Sequence, residues 1–226
     1  MKAVFINGSP RRNQNTFKML DAARKGAESA GADTEMIQLF ASEFTGCKSC
    51  FACKLKNSKT NGLCAVKDAL RPILEKCVAA DVIVCGSPVY LSAPTGQLRS
   101  FIERLIFPLI TYMVDENGQH LRVRDKIVPT AVIYTMNCPE EWMERFNYPL
   151  LLEVTADNLR AAFGHSEVLY SCDTYQFNDY SRYDVNMFDE TKKREHRDKQ
   201  FPIDLENAYQ LGRRLVEKAG EADGTN

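Results

Sequence analysis

The residues best equipped for chemistry form one short run near the start of the chain, Asn7-Gly8-Ser9-Pro10-Arg11-Arg12-Asn13-Gln14-Asn15-Thr16. They follow the apolar stretch Ala3-Val4-Phe5-Ile6 and lead into a helical pattern. A strand, a polar loop and a helix start, in that order, form an anion site. The free N–H groups of the first helical turn converge there, and the helix dipole favours negative charge. The hydroxyls of Ser9 and Thr16, the amide of Asn15 and a guanidinium from Arg11 or Arg12 are the groups that bind a phosphate monoester. A plain turn capped by Asn15 or Thr16 needs no such pair of adjacent arginines. The spacing fits neither the Walker loop, Gly-x-x-x-x-Gly-Lys-Ser/Thr, nor the dinucleotide fingerprint, Gly-x-Gly-x-x-Gly.

Two further segments carry chemistry. Asp81-Val82-Ile83-Val84-Cys85-Gly86 is a short continuous apolar run, the signature of a strand buried on both faces. It ends in Ser87-Pro88-Val89-Tyr90-Leu91-Ser92-Ala93-Pro94-Thr95-Gly96-Gln97, a polar loop whose Thr95 is also placed to cap a helix. Between these regions, Cys47, Cys50 and Cys53 form Cys-x2-Cys-x2-Cys, and Cys64 follows after ten residues. Three thiolates at that spacing can face one centre, with Cys64 closing a four-cysteine set. The alternatives are a [4Fe–4S] cluster, zinc, and free or redox-active thiols. Cys77 and Cys85 fall on apolar positions of a helix and a strand and read as core.

The elements that must position these residues alternate along the chain. Strands are expected at 2–7, 34–39, 81–87, 127–136 and 167–172. Leu70, Ile73, Leu74, Cys77 and Val78 make a helical stripe, and Leu98, Phe101, Ile102, Leu105 and Ile106 repeat its spacing. Further stripes run through Phe17, Leu20, Ala23, Ala27 and Ala30, through Leu152 to Phe163, and through Leu205 to Ala219. Five strands alternating with five helices imply an α/β fold, a parallel sheet covered on both faces. Ligands of such sheets sit at the carboxyl ends of the strands, at the topological switch point, where both polar loops lie.

The chain of 226 residues is 44% hydrophobic and 26% charged, with net charge −1 and eight cysteines. This fits one well-buried domain over 1–226 and gives no electrostatic case for nucleic acid or an anionic membrane. No apolar run reaches membrane-spanning length, and the early residues lack a signal-peptide pattern. A cytoplasmic location is expected, which favours thiols or metal ligands over structural disulfides. Residues 112–126, with Asp115-Glu116-Asn117-Gly118, carry a hairpin signal. A polar, aromatic arm at about 175–202 is expected to leave its own domain and pack on a neighbouring subunit, giving a homodimer or homotetramer. Within it, the run Lys192–Lys199 reads as a solvated face and His196 as inert.

Gly8-Ser9-Pro10-Arg11 with Asn15-Thr16, together with Ser87-Pro88-Val89-Tyr90 and Thr95-Gly96-Gln97, resembles the flavodoxin-like FMN reductases, a group that includes the iron–sulfur flavoproteins. The resemblance is good over about 1–136 and loose beyond. It implies a three-layer fold with a five-stranded parallel sheet, and FMN as cofactor. Ser9, Arg11, Asn15 and Thr16 would then hold the phosphate, and Pro88, Val89, Tyr90, Leu91 and Ser92 the flavin ring. Thr135, with its two successors, adds a weaker ring contact, and Tyr90 shapes the pocket. It further implies NAD(P)H as hydride donor and a quinone, a flavin or another small molecule as electron acceptor. The alternative is an electron carrier with an iron–sulfur cluster on Cys47, Cys50, Cys53 and Cys64 that binds no nicotinamide. The gap from Cys53 to Cys64 is wider than the family motif, so thiols without a cluster are the preferred reading here, and no metal ligand is assigned.

Overall fold

A computed structural model describes residues 1–118 and 120–224. In chain order the elements are β1 (Lys2–Asn7), α1 (Asn15–Ser29), β2 (Asp33–Gln38), α2 (Arg71–Ala79), β3 (Val82–Tyr90), β4 (Ala93–Pro94), α3 (Gly96–Ile106), β5 (Ile110–Val114), β6 (His120–Arg122), β7 (Val128–Thr135), α4 (Tyr148–Phe163), β8 (Gly164–Ser171), α5 (Glu190–Lys199) and α6 (Phe201–Gly224). Five of the strands form a parallel sheet in the order β2-β1-β3-β7-β8. The chain therefore moves outward from β1 to β2, then reverses to the other side at β3. That reversal is the switch point.

Alternation along each strand explains the two layers of core. Val4 and Ile6 on β1, with Ile83 and Cys85 on β3, face α2, α3 and α4 through Leu74, Phe101 and Leu159. Ala3 and Phe5, with Val82 and Val84, face α1 and α6 through Leu20, Ala23, Leu211 and Leu215. α1 and α6 cross closely because glycines stand on both sides. A Cβ at Gly26 would lie 1.9 Å from the Tyr209 carbonyl oxygen, and one at Gly212 would lie 1.8 Å from that of Ala23.

Several sequence expectations need adjustment. β3 continues three residues past Ser87, because it pairs with β7 as far as Pro88 and folds back on β4 from Val89 to Ala93. Part of the expected ring loop is therefore strand. The hairpin is present as β5–β6. The run Lys192–Lys199 lies within α5, an extra helix started by Asp189, whose carboxylate accepts from the N–H groups of Thr191 and Lys192. Its face toward the body is not solvated: Lys193 is 2% exposed. The arm folds back over its own chain, with Tyr180 buried, the Phe177 and Tyr183 rings stacked at 4.1 Å, and Phe188 against Trp142. No helix among the described residues is long and apolar enough to cross a membrane.

Candidate functional site

Strand register gathers the site. β1 pairs with β3 up to Asn7–Gly86, and β3 with β7 up to Pro88–Thr135, so β1 and β7 end within two residues of each other along β3. The polar loop after β1 is stitched to that of β3. The Gly8 N–H donates to the Gly86 carbonyl (2.8 Å), and Thr95 Oγ1 donates to the Gly8 carbonyl (2.7 Å). Thr95 also caps α3 by accepting from the Leu98 N–H, so the cap and the loop anchor are the same hydroxyl. Asn7, wholly buried, accepts from the Ser9 N–H at 3.0 Å, and Gln38 Nε2 donates to the Ser9 carbonyl.

α1 begins without a cap. Its N-cap position is Gln14, which makes no side-chain bond to the first turn, and that turn carries no acidic residue. Neither Asn15 nor Thr16 caps it, contrary to the simpler reading of the sequence. Thr16 Oγ1 instead lies 2.8 Å from Thr135 Oγ1, tying α1 to the end of β7. The free N–H groups of the first turn open into a cleft of about 150 Å³. Ser9, Arg11, Asn15 and Thr16 line it on one side, and Pro88, Val89, Tyr90 and Thr135 on the other. An uncapped helix start, two hydroxyls and a guanidinium fit a phosphate monoester.

Some expected contacts fall elsewhere. Leu91 and Ser92 lie outside the lining of the cleft, at the β3–β4 turn, where their φ values of +49° and +65° carry the chain through a primed hairpin turn. One N–H of Arg11 is already given to the Gln176 carbonyl, and the Asn15 amide to that of Tyr175. Both acceptors belong to the arm. Gln176 and Thr174 also line the cleft, and nothing in their own sequence marks them; only the polar stretch after the fifth strand hints at a loop there. Met136 and Asn137 complete the wall. Lys193 holds that wall from behind, donating to the Asn137 carbonyl at 2.9 Å and to the Asp173 carboxylate. His196 approaches the other oxygen of Asp173 at 3.8 Å.

The cysteine segment forms a second centre. Cys47, Cys50, Cys53 and Cys64 line one small cavity with Arg104 of α3. Arg104 is 1% exposed, bonds Asp68 with two nitrogens (2.5 and 2.9 Å), and leaves its Nε without a partner. The Asp68 carboxyl is held below its usual range, chiefly by the bond from Arg104. Burial pushes the Cys53 thiol up. Ser49, Phe51, Asn57 and Asn61 all take positive φ, so the loop bearing the thiols is locally strained. The four thiols have the chemistry of cluster ligands, yet among the described residues no three His, Cys, Asp or Glu side chains take a metal-binding arrangement.

The sequence profile of the NADPH-dependent FMN reductases matches residues 1–135, more than half of the chain. This chain belongs to that FMN reductase family. An iron-sulfur flavoprotein of Archaeoglobus fulgidus is 35% identical over 106 residues, 47% of this chain and 46% of the relative. One of Methanosarcina thermophila is 34% identical over 106 residues, 47% of this chain and 53% of the relative. The matched segment thus spans about half the length of these curated relatives. Among solved structures, the NAD(P)H:quinone oxidoreductase from Methanothermobacter marburgensis superposes with a TM-score of 0.64 at 17% identity, covering 95% of this chain and 96% of that one. A flavodoxin from the domain Archaea gives 0.52 at 15% identity, covering 97% and 99%. These two likenesses show the flavodoxin-like fold alone.

Proposed function

We propose that this protein is an FMN-dependent oxidoreductase that takes hydride from NAD(P)H and reduces a quinone, a flavin or another small acceptor. One observation carries the reading: an uncapped helix start and an aromatic-bearing strand end face each other across one cleft, on adjacent strands of a family member. When bound, FMN supplies the redox chemistry; the protein supplies position and electrostatics. Ser9, Thr16, Asn15 and the remaining N–H groups of Arg11 bind the phosphate. Pro88, Val89 and Tyr90 wall one side of the ring site, together with Thr135. The whole chain, 1–226, acts as one FMN-binding unit. The test is anaerobic titration of the FMN-loaded protein with NADPH and with NADH. Loss of the oxidised flavin's visible absorbance is expected with at least one of them. If neither bleaches the flavin, the reductase reading falls.

A second reading, the electron carrier, is favoured by the four cysteines around one cavity and by the likeness to iron-sulfur flavoproteins. Iron analysis of the same anaerobic sample separates the two. About four irons per chain, lost in Cys53→Ser while FMN is retained, would support it.

A further inference from the structure

Beside the cofactor cleft lies a larger hollow of about 480 Å³ that shares Arg11, Gln14 and Gln176 with it. Arg11, Arg12 and Arg182 line it together with the Phe177–Tyr183 ring pair, whose planes meet at 18°. Asp179 is the one acid in this lining, and its carboxylate already accepts from the Ser181 N–H and hydroxyl. Among the described residues Arg12 and Arg182 make no hydrogen bond or ion pair. That contrasts with Arg24, Arg71, Arg104 and Arg214, each of which pairs with a carboxylate. An exposed arginine is usually just solvated. Here two unpaired guanidiniums border a concave surface, beside an aromatic platform, next to the Arg11 end of the cofactor cleft.

Resting on the nicotinamide-driven reduction put forward above, we propose that this hollow binds the 2′-phosphoadenosine end of the hydride donor. Arg12 and Arg182 grip the 2′-phosphate, a doubly charged group matched to the guanidinium fork. Tyr183, exposed beside Phe177, stacks on the adenine, as aromatic side chains do with bases. The arm, which lies beyond the family match, thereby makes the protein selective for NADPH over NADH.

The experiment compares the full-length, FMN-loaded protein with Arg182→Ala and Tyr183→Ala in anaerobic flavin reduction by each dinucleotide. For the wild type, kcat/KM should favour NADPH by about tenfold or more, the worth of one charge-assisted contact. Arg182→Ala should lose most of that preference through a higher KM for NADPH, with NADH kinetics and FMN content unchanged. Tyr183→Ala should raise KM for both dinucleotides, since both carry adenine. Because the site is exposed, the preference should shrink as ionic strength rises. Equal use of NADPH and NADH by the wild type, or an equal loss for both in Arg182→Ala, overturns the assignment while leaving the reductase reading intact. If neither dinucleotide reduces the flavin, the reductase reading fails separately. Calorimetric titration with 2′,5′-ADP then decides the hollow. Saturable binding that vanishes in Arg182→Ala upholds it, and no binding to the wild type overturns it.

Discussion

Arg104 and Asp68 show how much of this protein rests on single pairs. A guanidinium 1% exposed is tolerated there because Asp68 and the carbonyls of Thr45 and Val66 surround it. Asp68→Asn leaves that cation buried and should cost about 3 kcal/mol near neutral pH, measured by chemical denaturation. The same pair makes an acid limb. Because Arg104 lowers the folded-state pKa of Asp68, the folded protein takes up this proton less readily than the unfolded chain, whose carboxyl titrates near about 3.9. The pair's stabilisation is therefore complete above that value and is lost as pH falls through the lower, folded one. Asp68→Asn should show a flatter acid limb than the wild type, and an identical limb would refute the assignment. That Ser9, Arg11, Asn15 and Thr16 meet at one cleft was legible in sequence because they lie within ten positions of one another. Arg104 was not, since it interrupts an apolar stripe and finds its partner 36 residues away. Lys193 was hidden likewise, in a charge run whose one buried member is chosen by tertiary contact alone.

At the scale of elements, the crossing of α1 and α6 is the most constrained joint. An alanine normally helps a helix that carries glycine, by about 0.5–1 kcal/mol. At Gly26 or Gly212 the added methyl meets backbone carbonyls at under 2 Å, so the helices must part. Either Gly→Ala change should instead lower stability by about 1–3 kcal/mol. Gly220→Ala, where the nearest atom is the tip of Met1 at 3.5 Å, serves as the control and should be neutral or slightly stabilising. Thermal melts followed by circular dichroism compare them. A stabilised Gly212→Ala would mean the helices sit farther apart than described. The strands themselves were legible to within a residue or so at most ends, since buried apolar runs leave few registers. The far end of β3 was misjudged because Pro88 and Tyr90 read as loop until β4 and β7 are there to pair with them.

For the whole molecule, apolar side chains remain uncovered away from both sites. Tyr112 and Met113 on β5 are 71% and 65% exposed, and Leu150 at the start of α4 is 73% exposed. With the arm folded on its own chain, these are the surfaces we propose for self-association. Light scattering at micromolar concentration should give at least a dimer, and Met113→Glu with Leu150→Glu should shift it toward monomer without loss of FMN. A wild-type monomer would rule this out. The layered α/β plan was legible from alternation alone, whereas the placement of the arm was not, because its aromatics carry no period. The match to known FMN reductases stops at residue 135, the last residue of β7, which is buried along its whole length. That boundary falls inside the sheet. A fragment ending there would turn β7 into an open edge, a bare ladder of eight residues ready to template its own copies. The segment that carries the family's recognisable motifs thus relies on β8, which follows no motif, to close its sheet on that side.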